Sequence, residues 1–168
     1  MLHSTKQLHL LKKFLPALVL LLVGFLYFQT RHFEYAWDDR ALFVNSPSLR
    51  IIHSPEQLWN AVTTPILPGT TYFRPLVMAT FAAEFSVHSA DAATSHLINI
   101  GIFLINIWLI GILAAKVFSE QDTALPVRAV AMALYGLHPA NTEATSWVAG
   151  RFDLMVTSFG LLMILLSL

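Results

Sequence analysis

The chain has 168 residues, of which 56% are hydrophobic and 12% charged, and its mean hydropathy is +0.63. This composition is typical of an integral membrane protein. Ten Lys and Arg residues balance ten Asp and Glu residues, so nothing points to a nucleic-acid partner, and the absence of cysteine excludes disulfides, thiolate zinc sites and a cysteine nucleophile.

The apolar stretches predict an all-α, polytopic membrane protein with about four transmembrane helices, because a helix needs about 20 mostly apolar residues to cross a bilayer. The predicted spans cover about residues 10–30, 96–118, 126–140 and 153–168. A secretory signal peptide is the alternative for the first span, but no A-x-A-like cleavage site follows it, which favours retention as a span.

The last apolar stretch, Leu154 to Leu168, is short for a transmembrane helix. Its fifteen residues would rise only about 22 Å as a helix, against roughly 30 Å of hydrocarbon. We therefore expect the chain to be truncated, with residues 1–168 forming one partial membrane domain.

The long first loop, residues 31–95, is expected to contain short interfacial helices. Its stretch "RPLVMATFAAEFSVH" (74–88) has a proline suited to a first helical turn, but its apolar part is about thirteen residues long and carries Glu84. If this stretch does not span, every lysine lies on the side of the N-terminus, and the density of basic residues favours a cytoplasmic N-terminus. The loops 31–95 and 138–153 then share the non-cytoplasmic face.

This topology brings an acidic pair, Asp38 and Asp39, to the same membrane surface as the polar second loop. Carboxylates with arginines nearby can take a proton from an acceptor hydroxyl and hold a phosphate leaving group. From spacing alone, however, adjacent acids after a span are better explained as the start of a solvated loop. Within the second span, His96, Asn99 and Asn106 share one helical face, which predicts packing inside the bundle.

Several sequence motifs in the two loops make the functional interpretation more specific. The second loop, "LHPANTEATSWVAGRFDLM" (137–155), resembles the transmembrane and tetratricopeptide repeat-containing O-mannosyltransferases, members of the GT-C glycosyltransferase superfamily. The first loop agrees through "YAWDDRALFVNSPSLR" (35–50), "LWNAVTTP" (58–65), "YFRPL" (72–76) and "SHLINI" (95–100). The resemblance covers about residues 30–168 and implies a truncated GT-C-like bundle.

The resemblance implies a catalytic base at Asp38 or Asp39, and leaves open which of them acts. It also implies a polyprenyl-phosphate sugar donor, with mannose as one candidate sugar, and a hydroxyl acceptor such as a protein. A divalent cation, Mg or Mn, bound by the acidic pair is a further possibility. Residues expected to bind the donor phosphate or the substrate are Arg40, Arg74, His138, Glu143 and Arg151.

Simpler structural roles remain open for some of these residues. Arg74 is equally well explained as an anchor of an interfacial helix, His138 as a helix-end cap, and Arg151 with Asp153 as residues that hydrogen-bond the loop into shape. The sequence also departs from the family pattern, because Asn141 stands where a second histidine is common, which weakens a metal site in that loop.

No 34-residue repeat is visible, although helical repeats follow the membrane domain in this family. The competing interpretation is a non-catalytic membrane fragment or subunit that binds polyprenyl lipid or assembles with other membrane helices. The expected location is a bacterial inner membrane with the active face toward the periplasm, or the endoplasmic reticulum membrane in a eukaryote.

Overall fold

The computed structural model describes residues 2–46, 49, 52, 54–67, 69–118 and 124–168. All regular structure within these residues is helical, which confirms the predicted all-α class. A 3₁₀ turn, Phe28–His32, extends the first helix, and a π-helical turn, Arg40–Val44, lies in the first loop. The α-helices are α1 (Leu2–Tyr27), α2 (Pro55–Thr63), α3 (Pro75–His88), α4 (Ala92–Val117), α5 (Ala124–Gly136), α6 (Asn141–Ser146) and α7 (Arg151–Ser167).

Parts of the predicted loops lie outside the described residues. These are positions 47, 48, 50, 51, 53 and 68 of the first loop and positions 119–123 between α4 and α5. The side chains of residues 2–13, which include the N-terminal lysines used in the topology argument, are also outside the description.

Helix α4 lies at the centre of the bundle, because α1, α5, α6 and α7 all pack against it. Its contact with α5 is close at Gly111, where a Cβ would meet the Met132 sulfur at 2.6 Å. The side chains that fill the space between the long helices form one apolar cluster, composed of Val23, Phe103, Ile107, Met132 and Leu154. This cluster fixes α1, α5 and α7 around α4.

Two helical segments within the described residues are apolar and long enough to cross a membrane, namely Phe14–His32 with 19 residues and Ala92–Val117 with 26. The first presents a mostly outward apolar surface, with large side chains such as Leu21 and Phe25 exposed. Extended apolar surface of this kind is typical of contact with lipid or with further protein. These segments correspond to the first two predicted spans.

The other two predicted spans coincide with shorter helices. Helix α5 has 13 residues, against the predicted span 126–140, and α7 has 17 residues and begins at Arg151. Two of the four predicted spans therefore meet the length and hydropathy expected of a transmembrane helix, and the other two stay predictions.

The first loop contains the expected short helices, each with a recognisable start. Ser54 caps α2 by accepting a hydrogen bond from the Gln57 N–H at 3.2 Å, and proline occupies the first position of both α2 and α3. Their position at a membrane interface stays a prediction. A second apolar cluster, which includes Phe43, Phe81 and Phe152, packs this loop against the beginning of α7.

Candidate active site

The two adjacent acids of the first loop occupy very different environments. Asp39 is only 1% exposed, and its carboxylate accepts hydrogen bonds from the backbone N–H of Ala36 at 3.0 Å and of Ala149 at 2.9 Å. Burial raises the pKa of the Asp39 carboxyl above its ordinary value, although the hydrogen bonds from Ala36 and Ala149 oppose that rise. Asp38, in contrast, is exposed. The structure therefore separates a buried acid that joins two loops from an acid that is open to a ligand.

Arg40 follows the acids at the start of the π-helical turn and is accessible. Its side chain is 59% exposed and forms an ion pair with the exposed Glu34 at 3.4 Å. An exposed pair at this distance contributes little to stability, so the guanidinium can exchange Glu34 for another anion.

The segment that joins α6 to α7 is held by buried polar groups. The Asn99 side-chain amide donates to the carbonyl oxygens of Trp147 at 3.0 Å and Val148 at 3.1 Å. Gly150 has no room for a side chain, because an added Cβ would collide with the backbone carbonyl of Ala144. With the bond from Ala149 to Asp39, these contacts fix the turn of residues 147–150 against α4 and the first loop.

Arg151 is fully buried at the first position of α7 and pairs with the buried Glu84 of α3 at 2.8 Å. Its guanidinium also donates to the Asn99 amide oxygen at 2.8 Å and to the Ser95 carbonyl at 3.2 Å, and it lies 3.8 Å from the centre of the Phe81 ring. The Ser95 hydroxyl donates to Glu84 as well. Because its charge is already compensated, Arg151 holds α3, α4 and α7 together rather than facing a groove.

The remaining candidates are distributed over different surfaces. Glu143 and His138 are exposed in the second loop, and the His138 Nδ1 accepts a hydrogen bond from the Ala140 N–H at 3.2 Å, as expected of a residue that ends a helix. Arg74 lies over the rings of Tyr72 and Phe152, and with α7 residues lines a separate cavity. Arg74 is therefore not among the residues that line the groove between the first and second loops.

A groove of about 530 Å³ lies between the two loops. The first loop contributes Ala36 and Trp37, directly before the acidic pair. The second loop contributes the rest of the lining, namely Pro139, Ala140, Thr142, Glu143, Ser146 and Trp147. This groove is the point at which the motifs of both loops meet, and its residues are candidates for substrate binding.

A neighbouring cavity of about 280 Å³ shares two of these residues, Thr142 and Ser146. It runs toward the bundle and is lined there by Leu26 and Tyr27 at the end of α1 and by Gly136 and Leu137 at the end of α5. Helix α6 therefore borders both the groove between the loops and a second cavity that is also lined by the polar residues Gln29 and Thr30.

The donor set at the acidic pair does not fit a divalent cation. Asp39 faces the protein interior, where backbone N–H groups occupy its carboxylate, so it cannot share an ion with Asp38 in this arrangement. Among the described residues no three His, Cys, Asp or Glu side chains are grouped in a way that could hold a metal.

Sequence reasoning missed the roles of Glu84 and Asn99. Two signals were present, since an acid within the apolar stretch 74–88 and an arginine at the start of an apolar helix both require partners when buried. The predicted inward face of His96, Asn99 and Asn106 is confirmed, since all three are buried. What the sequence did not indicate is that the asparagine amides bond backbone carbonyls of α7 and the turn before it.

Comparison with known proteins agrees with the motifs of the two loops. The chain is 28% identical over 138 residues to Protein O-mannosyl-transferase Tmtc1 of Drosophila melanogaster, and the match covers 77% of this chain and 15% of that protein. The chain is therefore related to a known O-mannosyl-transferase. It is also 29% identical over 87 residues to human Protein O-mannosyl-transferase TMTC3, which covers 52% of this chain and 9% of the relative.

The predicted resemblance to this family is therefore confirmed through two relatives, of which the chain spans only a small part. No protein-family model matches the chain, and no solved structure is significantly similar to it.

Proposed function

We propose that this chain carries the catalytic groove of a membrane O-glycosyltransferase that moves a sugar from a polyprenyl-phosphate donor to a hydroxyl acceptor, with Asp38 as the base. The observation that carries the proposal is the contrast within the acidic pair beside the groove. Asp39 is buried and bonded to two backbone N–H groups, whereas Asp38 is exposed and directly follows Trp37 of the groove wall. Similarity to proteins named O-mannosyl-transferases supports mannose as the sugar.

The proposed chemistry needs one carboxylate that acts as a base and one positively charged side chain. The Asp38 carboxylate takes the proton of the acceptor hydroxyl as its oxygen attacks the anomeric carbon. The bond from that carbon to the phosphate oxygen breaks, and the lipid phosphate leaves with the bonding electrons. Arg40, accessible two residues after Asp38 and in an exposed pair with Glu34, would stabilise the departing charge, with the exposed His138 as a second donor.

The exposed apolar surface of α1 supports a lipid-linked donor. An amphipathic donor has a polar head and an isoprenoid chain; the groove offers the Glu143 carboxylate to the head, and exposed side chains of α1 such as Leu21 and Phe25 offer an apolar surface to the chain. We place the reaction on the non-cytoplasmic face of an endoplasmic reticulum or bacterial inner membrane, the face assigned to both loops by the lysine distribution.

The test is transfer of mannose from polyprenyl-phosphate mannose in native membranes that contain the protein as its gene encodes it. Asp38→Asn keeps the size of the side chain but cannot accept the proton, so we expect the rate to fall about 10²-fold to 10⁴-fold while donor binding survives. Asp153→Asn, which changes another exposed aspartate, is the matched control and should leave the rate unchanged.

Near-normal transfer by Asp38→Asn, with expression and membrane insertion equal to the parent, would overturn the assignment of the base. Donor binding without any transfer by the parent protein would instead favour the non-catalytic alternative, a membrane subunit that binds polyprenyl lipid.

A further inference from the structure

Trp37 presents its indole ring at the mouth of the groove. The side chain is 77% exposed, although a tryptophan ring normally buries most of its surface. Its backbone has a φ of 50°, a conformation that bulky residues rarely adopt. A strained residue that keeps a large apolar ring in solvent is more common at binding sites than elsewhere.

Trp147 supports that ring from the second loop. The two ring centres are 5.3 Å apart with an angle of 72° between the planes, so the edge of one ring meets the face of the other. The buried Trp147 Nε1 has no hydrogen-bond partner among the described residues. This nitrogen lies below the surface, so the Trp147 ring supports Trp37 rather than donating to a ligand in the groove.

The rest of the groove favours a neutral polyhydroxyl ligand. Glu143 contributes an exposed carboxylate, which accepts hydrogen bonds from hydroxyl groups but repels phosphate. Thr142 and Ser146 contribute hydroxyls to the same wall. A flat apolar ring, two hydroxyls and a carboxylate acceptor together match a sugar ring, which has an apolar C–H face and a rim of hydroxyls.

We propose that the groove binds the sugar ring of the donor, with its C–H face on Trp37 and its hydroxyls on Glu143, Thr142 and Ser146. This inference rests on the proposed function and specifies which residues recognise the sugar, separately from those that act on the phosphate. Trp37 is then a specificity residue that lies next to the base, so that sugar stacking places the anomeric carbon near Asp38.

The experiment compares two ligands on the purified protein, as its gene encodes it, in detergent. One is a short-chain polyprenyl-phosphate mannose and the other is the same polyprenyl phosphate without sugar, and the dissociation constants are measured by isothermal titration calorimetry. We expect the parent to bind the mannosylated lipid about tenfold more tightly, the scale of one good aromatic contact. Trp37→Ala should lose this preference with unchanged affinity for the sugar-free lipid, and Trp37→Phe should keep most of it.

The matched control is Trp59→Ala, because Trp59 is also an exposed tryptophan but lines a different cavity. That variant should keep the preference. Failure of the parent to bind either lipid would overturn the proposed function and this inference with it. Equal affinity of the parent for the two lipids, or a preference that survives in Trp37→Ala, would overturn the sugar assignment while leaving the lipid-phosphate donor intact.

Discussion

The Asp39 carboxylate and the Ala149 backbone N–H form a buried hydrogen bond of 2.9 Å between residues that are 110 positions apart in the chain. The same carboxylate accepts a bond from Ala36 in its own loop. This one side chain therefore links the first loop to the turn before α7, the two segments whose residues Trp37 and Trp147 line the groove.

Asp39→Asn should destabilise the protein, whereas Asp38→Asn should not. An asparagine has only one carboxamide oxygen, so one of the two backbone N–H groups loses its acceptor, at a cost of about 1–3 kcal/mol. Thermal unfolding of the purified chain in detergent measures the difference, and the exposed Asp38 provides a control of identical chemistry. Equal midpoints for the two variants would show that the bonds of Asp39 do not support the fold.

Removing one partner of the Glu84–Arg151 pair should lower the free energy of unfolding more than removing both. Arg151→Met leaves the buried Glu84 carboxylate without its cation, for which the expected loss is about 3–5 kcal/mol. Combining it with Glu84→Leu removes the unpaired charge, so the double variant should unfold at a higher temperature than Arg151→Met alone. A double variant whose loss equals the sum of the two single losses would mean that the residues do not interact energetically.

Gly150→Ala should destabilise the turn before α7, because the added methyl group meets the backbone carbonyl of Ala144 and backbone cannot move aside as a flexible side chain can. We expect a loss of about 1–3 kcal/mol. Gly160→Ala is the matched control, since nothing lies within 4 Å of its added Cβ and alanine is the better helix former. Midpoints that fall by the same amount in both variants would contradict this account.

The cap of α4 predicts a pH-dependent effect. Asp91 accepts hydrogen bonds from the Thr94 hydroxyl at 2.7 Å and the Thr94 N–H at 3.0 Å, and these bonds lower the pKa of the Asp91 carboxyl. A lowered pKa in the folded state contributes stability above the unfolded value of about 3.9, and this contribution is lost as the pH falls through the folded value. Asp91→Ala should cost about 1 kcal/mol at pH 7.

That cost should begin to shrink as the pH falls below about 4, because Asp91 is protonated in the unfolded chain before it is protonated in the folded chain, and it should shrink further down to the lower folded pKa. Unfolding midpoints of parent and variant, measured side by side from pH 7 to pH 3, provide the check. A difference between the two unfolding midpoints that stays constant over this pH range would show that the charge of Asp91 plays no part in the cap.

Much of the helical layout could be predicted from the sequence, because long apolar runs have few other solutions in a membrane protein. Helix α4 follows directly from such a run, and α3 was expected from Pro75 and the apolar residues after it. The short helix α6 was not predicted, since six polar and small residues give no periodic signal.

The candidate site was predicted in part. The two motifs located the loops that form the groove, but adjacent aspartates look alike in a sequence, and only their burial separates Asp38 from Asp39. For the same reason Arg151 was expected at the substrate, although the structure gives it Glu84 as a partner from a stretch about seventy residues earlier. Pairing between distant polar residues depends on tertiary packing, which local sequence patterns do not encode.

The amide oxygens of Asn99 and Asn106 accept from the side chains of Arg151 and Ser158, and their amide N–H groups donate to the main-chain carbonyl oxygens of Trp147, Val148 and Leu154. Every amino acid supplies the same carbonyl, so the receiving segment can change its residues without losing these bonds. The two asparagines have no such freedom, because the donor is their own amide. Tolerance to substitution should therefore be unequal across these hydrogen bonds. A saturation mutagenesis profile should be narrow at Asn99 and Asn106, whereas at Trp147, Val148 and Leu154 packing, and not the bond to the asparagine, should limit the allowed residues.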